Sequence, residues 1–472
     1  MAAVSFSPWM VAGAMVALSL VAVIFSRPIL GLVLFAFMAC FLPFTRIIAT
    51  LPITISEALL IVTWAGVLLH ILSARLDWRL GKTERAVLVL LVYSVVPFVV
   101  GMLLVPESEL SLVRWMRWLL NMSSIFLVLM LVRDDSDLWA VVVATLVGAA
   151  FMLLLSLGSF LRHFDARDML TVLDSLRYPL EYRTMMAETF EDVSRISSPW
   201  LHPNILGGFL TLMLPLAGVM LLFIREPLRM LLILLLGMAI VVLLFSISRA
   251  AMIGLGFTLI WFVHRRVPYA GLVMVFGAVA VVVVILSYPP IQERFASMFM
   301  VKHSRTVVSS TAIRLDEYRA FDRAVVRYPL GVGFGTDPTT IAENDPELRQ
   351  ISNLWLNYVY KMGIFALPIF IWVTLCWWRE VRERVKEGPF DAYRLTHMGL
   401  VGGLLGTFVI GLFDHYFSFQ WVLIAVFWLF MGLSLYTARR RVPDVDVTTH
   451  SLPASQHGPV YGLNRLPTNL VK

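Results

Sequence analysis

Arginines supply most of the reactive chemistry in this chain. Arg114 and Arg117 stand three residues apart, a spacing that puts both on one helical face. Arg249 follows Ser246-Ile247-Ser248 directly, between two apolar runs. Arg314 precedes a stripe at Arg319, Arg323 and Arg327, spaced i, i+4, i+8. Converging guanidinium groups without matching carboxylates suit a phosphate or diphosphate, because the planar fork holds two oxygens at once and stays charged. Arg249 is the sharpest candidate: in so short a turn it has little room to snorkel and must face a cavity or an anion. Arg114 and Arg117 fit either an anion or snorkelling toward headgroups. The Arg319/Arg323/Arg327 stripe reads as a solvated helix face, with Asp316 and Asp322 as surface partners.

Other groups are weaker signals. Gly331, Gly333 and Gly335 form a flexible turn after Pro329. No strand precedes it, so it is not a dinucleotide fingerprint, although its backbone N–H groups could approach an anion. His202-Pro203-Asn204 marks the start of an apolar run and reads first as a helix entry. Asp414-His415 lies in the short turn before the last apolar run. No His, Cys and carboxylate cluster has metal-ligand spacing and no Ser/His/Asp arrangement is present, so neither metal nor cofactor is expected. Cys40 and Cys376 both lie in apolar runs, toward opposite faces of a bilayer, and are read as unbridged.

The elements that must position these groups follow from composition. The chain has 472 residues, 59% hydrophobic and 15% charged, with a mean hydropathy of +0.82. Soluble domains carry about 25% charged residues, so the expected class is an all-α polytopic membrane protein. Apolar runs fall near 9–25, 28–44, 52–72, 86–105, 111–132, 137–161, 203–224, 228–247, 250–264, 268–287, 353–376, 396–414 and 419–437. That gives about 12–13 transmembrane helices, with a large extracytoplasmic loop before the last three. The first run has no basic residue before it and is read as a retained helix. Basic clusters at Arg75/Arg79/Lys82/Arg85, Arg379/Arg382/Arg384/Lys386 and Arg439/Arg440/Arg441 all fall on one side when helices alternate. The positive-inside rule makes that side cytoplasmic, with the N-terminus outside and loops 163–202 and 288–351 outside. The same rule accounts for the net charge of +7 without nucleic acid. Residues 1–441 form one transmembrane domain, and 442–472 read as a disordered cytoplasmic tail. Within the second long loop, 311–328 reads as an amphipathic helix.

Four segments, in this order, resemble motifs of the O-antigen ligase/polymerase superfamily. They are Arg195 with Trp200-Leu201-His202-Pro203-Asn204-Ile205-Leu206-Gly207; Ser246-Ile247-Ser248-Arg249-Ala250-Ala251; Arg314-Leu315-Asp316-Glu317-Tyr318 with Tyr328-Pro329-Leu330-Gly331-Val332-Gly333-Phe334-Gly335; and Asn353-Leu354-Trp355-Leu356 with Gly363-Ile364. The similarity covers roughly residues 195–365. It implies a metal-independent glycosyltransferase of the bacterial inner membrane that uses an undecaprenyl-diphosphate-linked glycan donor. The arginines matching Arg249 and Arg314 bind the donor diphosphate in that family, and a histidine before the asparagine of the last motif is proposed to activate the acceptor. Here that position holds Ser352, and Tyr318 replaces a tryptophan. A serine hydroxyl is no general base near neutral pH. The role passes to another group, with Glu317, His202, His303, Asp414 and His415 as candidates, or the reaction rests mainly on stabilising the leaving group.

The expected function is a glycan polymerase that joins lipid-linked repeats outside the cytoplasmic membrane. Alternatives are a ligase to lipid A-core, a lipid-linked oligosaccharide flippase or transporter, and a scaffold that has lost catalysis. Arg249, Arg314, Glu317 and Ser352 are the catalytic candidates. Arg195, His202, Asn204, Arg114, Arg117, Gly331, Gly333, Gly335, Asn353 and His415 are the substrate-binding candidates. Expected partners are the donor, a glycan acceptor, the bilayer, and a chain-length regulator and flippase of the same pathway. The scarcity of charge inside the helices favours one-sided chemistry over alternating access.

Overall fold

The computed structural model describes residues 8–47, 53–74, 79–105, 110–161, 172, 174–178, 195–197, 199–200, 202–287, 289, 292, 310–336, 351–386 and 389–440. Among them are eighteen α-helices and no strand beyond a single bridge between Arg46 and Thr54. Eight helical segments are long and apolar enough to cross a membrane, and three shorter apolar helices accompany them. The protein is an all-α polytopic membrane protein. The tail at 442–472 and His303 lie outside the described residues, as does most of both long loops.

In chain order the first helices are α1 (Pro8–Ser26), α2 (Pro28–Phe41), α3 (Ile55–Leu72), α4 (Lys82–Tyr93), α5 (Val95–Leu104), α6 (Ser111–Met122), α7 (Ser124–Leu131) and α8 (Asp135–Leu161). Then come α9 (Pro203–Met220), α10 (Leu228–Ser246), α11 (Arg249–His264), α12 (Ala270–Ser287) and α13 (Ser310–Arg327). The last are α14 (Leu354–Met362), α15 (Ala366–Lys386), α16 (Ala392–Ile410), α17 (Tyr416–Phe419) and α18 (Trp421–Arg439). The thirteen apolar runs are all helical, but three are broken. The break at Ser94 precedes Pro97, whose ring lacks an N–H and clashes one turn back; Trp115 Nε1 donates to the Ser94 hydroxyl there, at 3.0 Å. At Ser123 the hydroxyl donates to Leu120 O and receives Trp64 Nε1, at 2.7 Å each. At Gly363, φ is +80°, a conformation that ends α14 and turns the chain into α15.

The bundle is built around α9 and α18, whose apolar windows are 89% and 83% buried, against 6% for α12 at the periphery. Apolar burial drives none of this in hydrocarbon, so close packing must. α16 supplies it with small residues. A Cβ at Gly403 would strike the Leu212 carbonyl of α9, so the two backbones touch there. Thr258 of α11 donates to the Gly402 carbonyl at 2.9 Å, and Thr211 of α9 donates to Ala251 O of α11 at 3.1 Å.

One end of the bundle is tied by charge. Arg439 makes a bidentate pair with Glu84 (2.5 and 2.6 Å) and also reaches Glu380, whose carboxylate accepts from the Thr83 N–H and hydroxyl. Arg440 pairs with Asp135 beside it. Four parts of the chain far apart in sequence thus meet at this end. The candidate catalytic groups gather at the other.

Candidate active site

The site begins at the turn between α10 and α11. Ile247 ends α10 in the left-handed region (φ +52°), Ser248 stands at the N-cap of α11, and Arg249 is its first residue. Arg195 holds this turn. Its Nε donates to Ser246 O at 2.8 Å, and its Nη2 donates to Asn204 Oδ1 at 2.8 Å and Ile247 O at 3.5 Å. A cation on the last carbonyls of a helix satisfies groups that have no helical partner and complements the negative end of the helix. Arg195 is buried. These bonds brace the turn that carries Arg249.

His202 opens α9. Its Nδ1 accepts the Asn204 N–H at 3.1 Å and Pro203 takes the first helical position, where a missing N–H costs nothing. This is the helix-entry role. Gly207, one turn on, lies against Ser248 and Ala251, so α9 and the Arg249 turn are packed together.

Asn204 continues the chain of contacts. It hydrogen bonds with Tyr416, whose hydroxyl donates to Asp414 Oδ2, and Asp414 Oδ2 lies 4.0 Å from Arg314 Nη2. Burial, then the neighbouring Asp414 carboxylate, push the Tyr416 hydroxyl well up, so it stays a donor. His415 Nδ1 is 3.5 Å from Asp414 Oδ1. Arg314 is thus aimed by a relay that starts at the same Arg195 that fixes the Arg249 turn.

Glu317 sits three residues after Arg314, on the same face of α13. Its carboxylate accepts the Ser352 N–H at 2.8 Å and the Ser352 hydroxyl at 3.2 Å. Asn353 caps α14, its Oδ1 accepting from Trp355 N (3.0 Å) and Leu356 N (3.1 Å). Its Nδ2 donates to Leu412 O at 3.0 Å, and Leu354 N donates to Gly411 O at 2.7 Å. These bonds fasten the Ser352 segment to the turn that carries Asp414 and His415. Asn353 is therefore a structural clamp as well as a motif residue.

One expectation is corrected. The arginines do have carboxylate partners: Asp414 for Arg314, and Glu57 for Arg117. Glu57 is fully buried, accepts Arg117 Nε at 2.8 Å and Asn121 Nδ2 at 3.0 Å, and closes a capping box with Thr54 at the start of α3. Arg117 also lies 5.1 Å over the Trp421 ring. Arg117 is thus held between Glu57 and Trp421. Arg114 is half-buried one turn before it.

The glycine turn is packed against its neighbours. Gly331, Gly333 and Gly335 are buried. Gly331 N donates to Tyr328 O and Gly333 N to Lys361 O (2.9 and 2.7 Å), so those two N–H groups are spent inside the protein. Phe334 stacks on Trp118 with ring centroids 4.3 Å apart, and Lys361 Nζ donates to Thr336. The turn fastens the end of α13 to α5, α6 and the break at Gly363. The Arg319 stripe behaves as a solvated face: Arg319 pairs with Asp316 at 3.3 Å, both exposed.

Sequence reasoning missed Glu57 and Tyr416 as parts of this end. The Thr54-x-x-Glu57 spacing before an apolar run is a capping-box signature and could have flagged Glu57. Nothing local marks Tyr416.

The assembled end carries two guanidinium groups, at Arg249 and Arg314. Glu317, Asp414 and His415 can accept a proton there. A family model described as O-antigen ligase matches residues 231–373, from α10 into α15. No curated protein matches the chain. Arg249, Arg314, Glu317, Ser352 and Asn353 thus lie within the region of this multi-pass all-α membrane protein that is similar to the O-antigen ligase family model.

Proposed function

We propose that this protein is a glycan polymerase that transfers an undecaprenyl-diphosphate-linked oligosaccharide to an acceptor glycan outside the cytoplasmic membrane. Arg249 and Arg314 hold the donor diphosphate. Glu317 accepts the proton of the acceptor hydroxyl as its oxygen attacks the anomeric carbon. The bond from that carbon to the diphosphate oxygen breaks, and polyprenyl diphosphate leaves with the electron pair. Fixed guanidinium groups aimed at the leaving oxygens stabilise the charge that develops there. Glu317 supplies the base that Ser352 cannot. The bond from the Ser352 hydroxyl orients the carboxylate.

The observation that carries this reading is the Glu317–Ser352 contact one turn from Arg314 on the same helix. It brings a carboxylate to the position where the family's resemblance calls for histidine. That substitution also favours a repeat polymerase over a lipopolysaccharide ligase. A flippase that delivers the donor and a regulator of chain length are the partners such a reaction calls for. Purified protein incubated with lipid-linked repeat units should give a ladder of lengths. Transfer of a single block would make it a ligase, and no product would remove the catalytic reading.

A further inference from the structure

A cavity of about 160 Å³ lies at the end of the bundle opposite the candidate active site. It is lined by Arg27, His70, Arg133 and Asp137, with Ile29 and Val67 among its apolar walls. It shares that end with the Arg439–Glu84 and Arg440–Asp135 pairs. Its volume is on the order of ten times the ~10–15 Å³ that admits one water. The residues come from the α1–α2 junction, the last turn of α3 and the start of α8. None takes part in the chemistry proposed above.

Among the charged residues that line the cavity, two arginines face one carboxylate, and Asp134 stands behind the rim, its carboxylate accepting the Asp137 N–H. Arg27 and Arg133 are exposed guanidinium groups, against the single carboxylate of Asp137. That carboxylate accepts the Arg133 backbone N–H at 3.0 Å, which fixes it at the rim of α8. The His70 ring is held by its Nε2 against Phe25 O at 3.0 Å. The helix ends that supply these groups also carry exposed apolar side chains, Val23 on α1 and Leu69 and Leu72 on α3. A ligand with an anionic head and hydrocarbon chains would match both features. On the positive-inside reading this end lies in the cytoplasmic leaflet, where anionic lipids attract basic residues near the surface.

We propose that this cavity binds the phosphate of an anionic phospholipid headgroup, with Arg27 and Arg133 as its ligands. Arginine forks take phosphate oxygens bidentately, and the flanking apolar residues cover the acyl chains. The site is independent of the glycan chemistry.

The test titrates the full-length protein in detergent with phosphatidylglycerol, phosphatidylcholine or inorganic phosphate, followed by native mass spectrometry and thermal unfolding. Phosphatidylglycerol should give retained lipid adducts and raise Tm, and the other two should not. Arg27→Gln with Arg133→Gln should weaken the adducts about tenfold or more, a loss of ~1.4 kcal/mol or greater. Asp137→Asn, which keeps an acceptor for the Arg133 N–H but removes the negative charge, should strengthen them. Equal binding of phosphatidylcholine, or adducts indifferent to all three substitutions, would overturn the proposal. Inorganic phosphate alone reproducing the Tm shift would make the site one for a free anion and equally overturn it.

Discussion

Glu317 grips Ser352 twice, by the backbone N–H at 2.8 Å and by the hydroxyl at 3.2 Å. The serine is therefore not a bare gap in the motif. It is the point where a carboxylate from another helix is delivered. Glu317→Gln should lower glycan transfer by about 10²- to 10⁴-fold, the usual contribution of a positioned general base, while donor binding persists. Ser352→Ala removes one hydrogen bond to a carboxylate, about 1.5–3 kcal/mol, and should cost a hundredfold or so at most. Ser352→His in the Glu317→Gln background supplies an imidazole of ordinary pKa ~6.5 and should recover part of the rate. Single-turnover assays separate these effects, and an unaffected Glu317→Gln enzyme removes the carboxylate from the mechanism.

Arg249→Ala and Arg314→Ala should each abolish polymer with protein level intact. Loss of one preorganised charge donor costs about 10²- to 10³-fold. Asp414→Asn should act in the same direction as Arg314→Ala but more weakly, because Asp414 aims the guanidinium from 4.0 Å and need not touch the donor. Immunoblots and polymer gels check all three. Normal polymer from both arginine variants would end the diphosphate assignment.

The alkaline side of the pH profile should be free of a tyrosine limb. Tyr416 is buried beside Asp414, both of which hold its proton on well above the usual tyrosine range. The sign is fixed by the cause: deprotonation would put a second negative charge next to a carboxylate. Activity should therefore not fall through about pH 9–10 by loss of this donor, and Tyr416→Phe should lower the rate without moving that limb. A limb near pH 10 that vanishes in Tyr416→Phe would contradict the buried geometry.

Glu57 and Arg117 should matter for stability more than for turnover. Removing one partner of a buried pair costs about 3–5 kcal/mol, because the other charge is left uncompensated. Arg117→Ala strands Glu57, whose side chain is 1% exposed, so Tm should drop sharply. Glu57→Gln/Arg117→Gln should be less damaged than either single variant is in sum, which a double-mutant cycle in thermal unfolding reads directly.

Gly333→Ala should destabilise the fold without a selective loss of donor affinity. Its φ is +76° and an added Cβ would stand 2.8 Å from Pro97 O. A non-glycine residue there is strained as well as crowded, at about 1–3 kcal/mol. Lowered Tm with unchanged donor affinity in the surviving protein supports the packing role; an unchanged Tm with lost affinity would return the turn to anion binding.

Much of this was legible from residue patterns. Apolar runs marked the eight long apolar helical segments among the described residues, because hydrocarbon demands long stretches free of charge. Motif order marked Arg249, Arg314 and Ser352. The helix break at Ser94 had a local signal in Pro97, whereas those at Ser123 and Gly363 were not legible: one rests on a tertiary partner and the other on one glycine dihedral. The carboxylate partners of the arginines were hidden for a related reason. Glu57 and Asp414 lie 60 residues from Arg117 and 100 from Arg314 in sequence, and only packing brings them close. Arg195 and Asn353 bear motif signatures, yet their hydrogen bonds go to helix ends. A short motif records which residues are needed and cannot separate those that hold the site from those that act in it.

Gly403 makes no contact with any catalytic candidate, yet the touching backbones of α16 and α9 make it a gauge block for the far end of the bundle. α11 leans on the same helix through Thr258, so the span between His202 and Arg249 is calibrated several turns below both. A side chain inserted at Gly403 would work as a shim. Selection for longer or shorter polymer should therefore return substitutions deep in the bilayer, and their suppressors should map to Leu212 or Thr258 before any residue at the mouth.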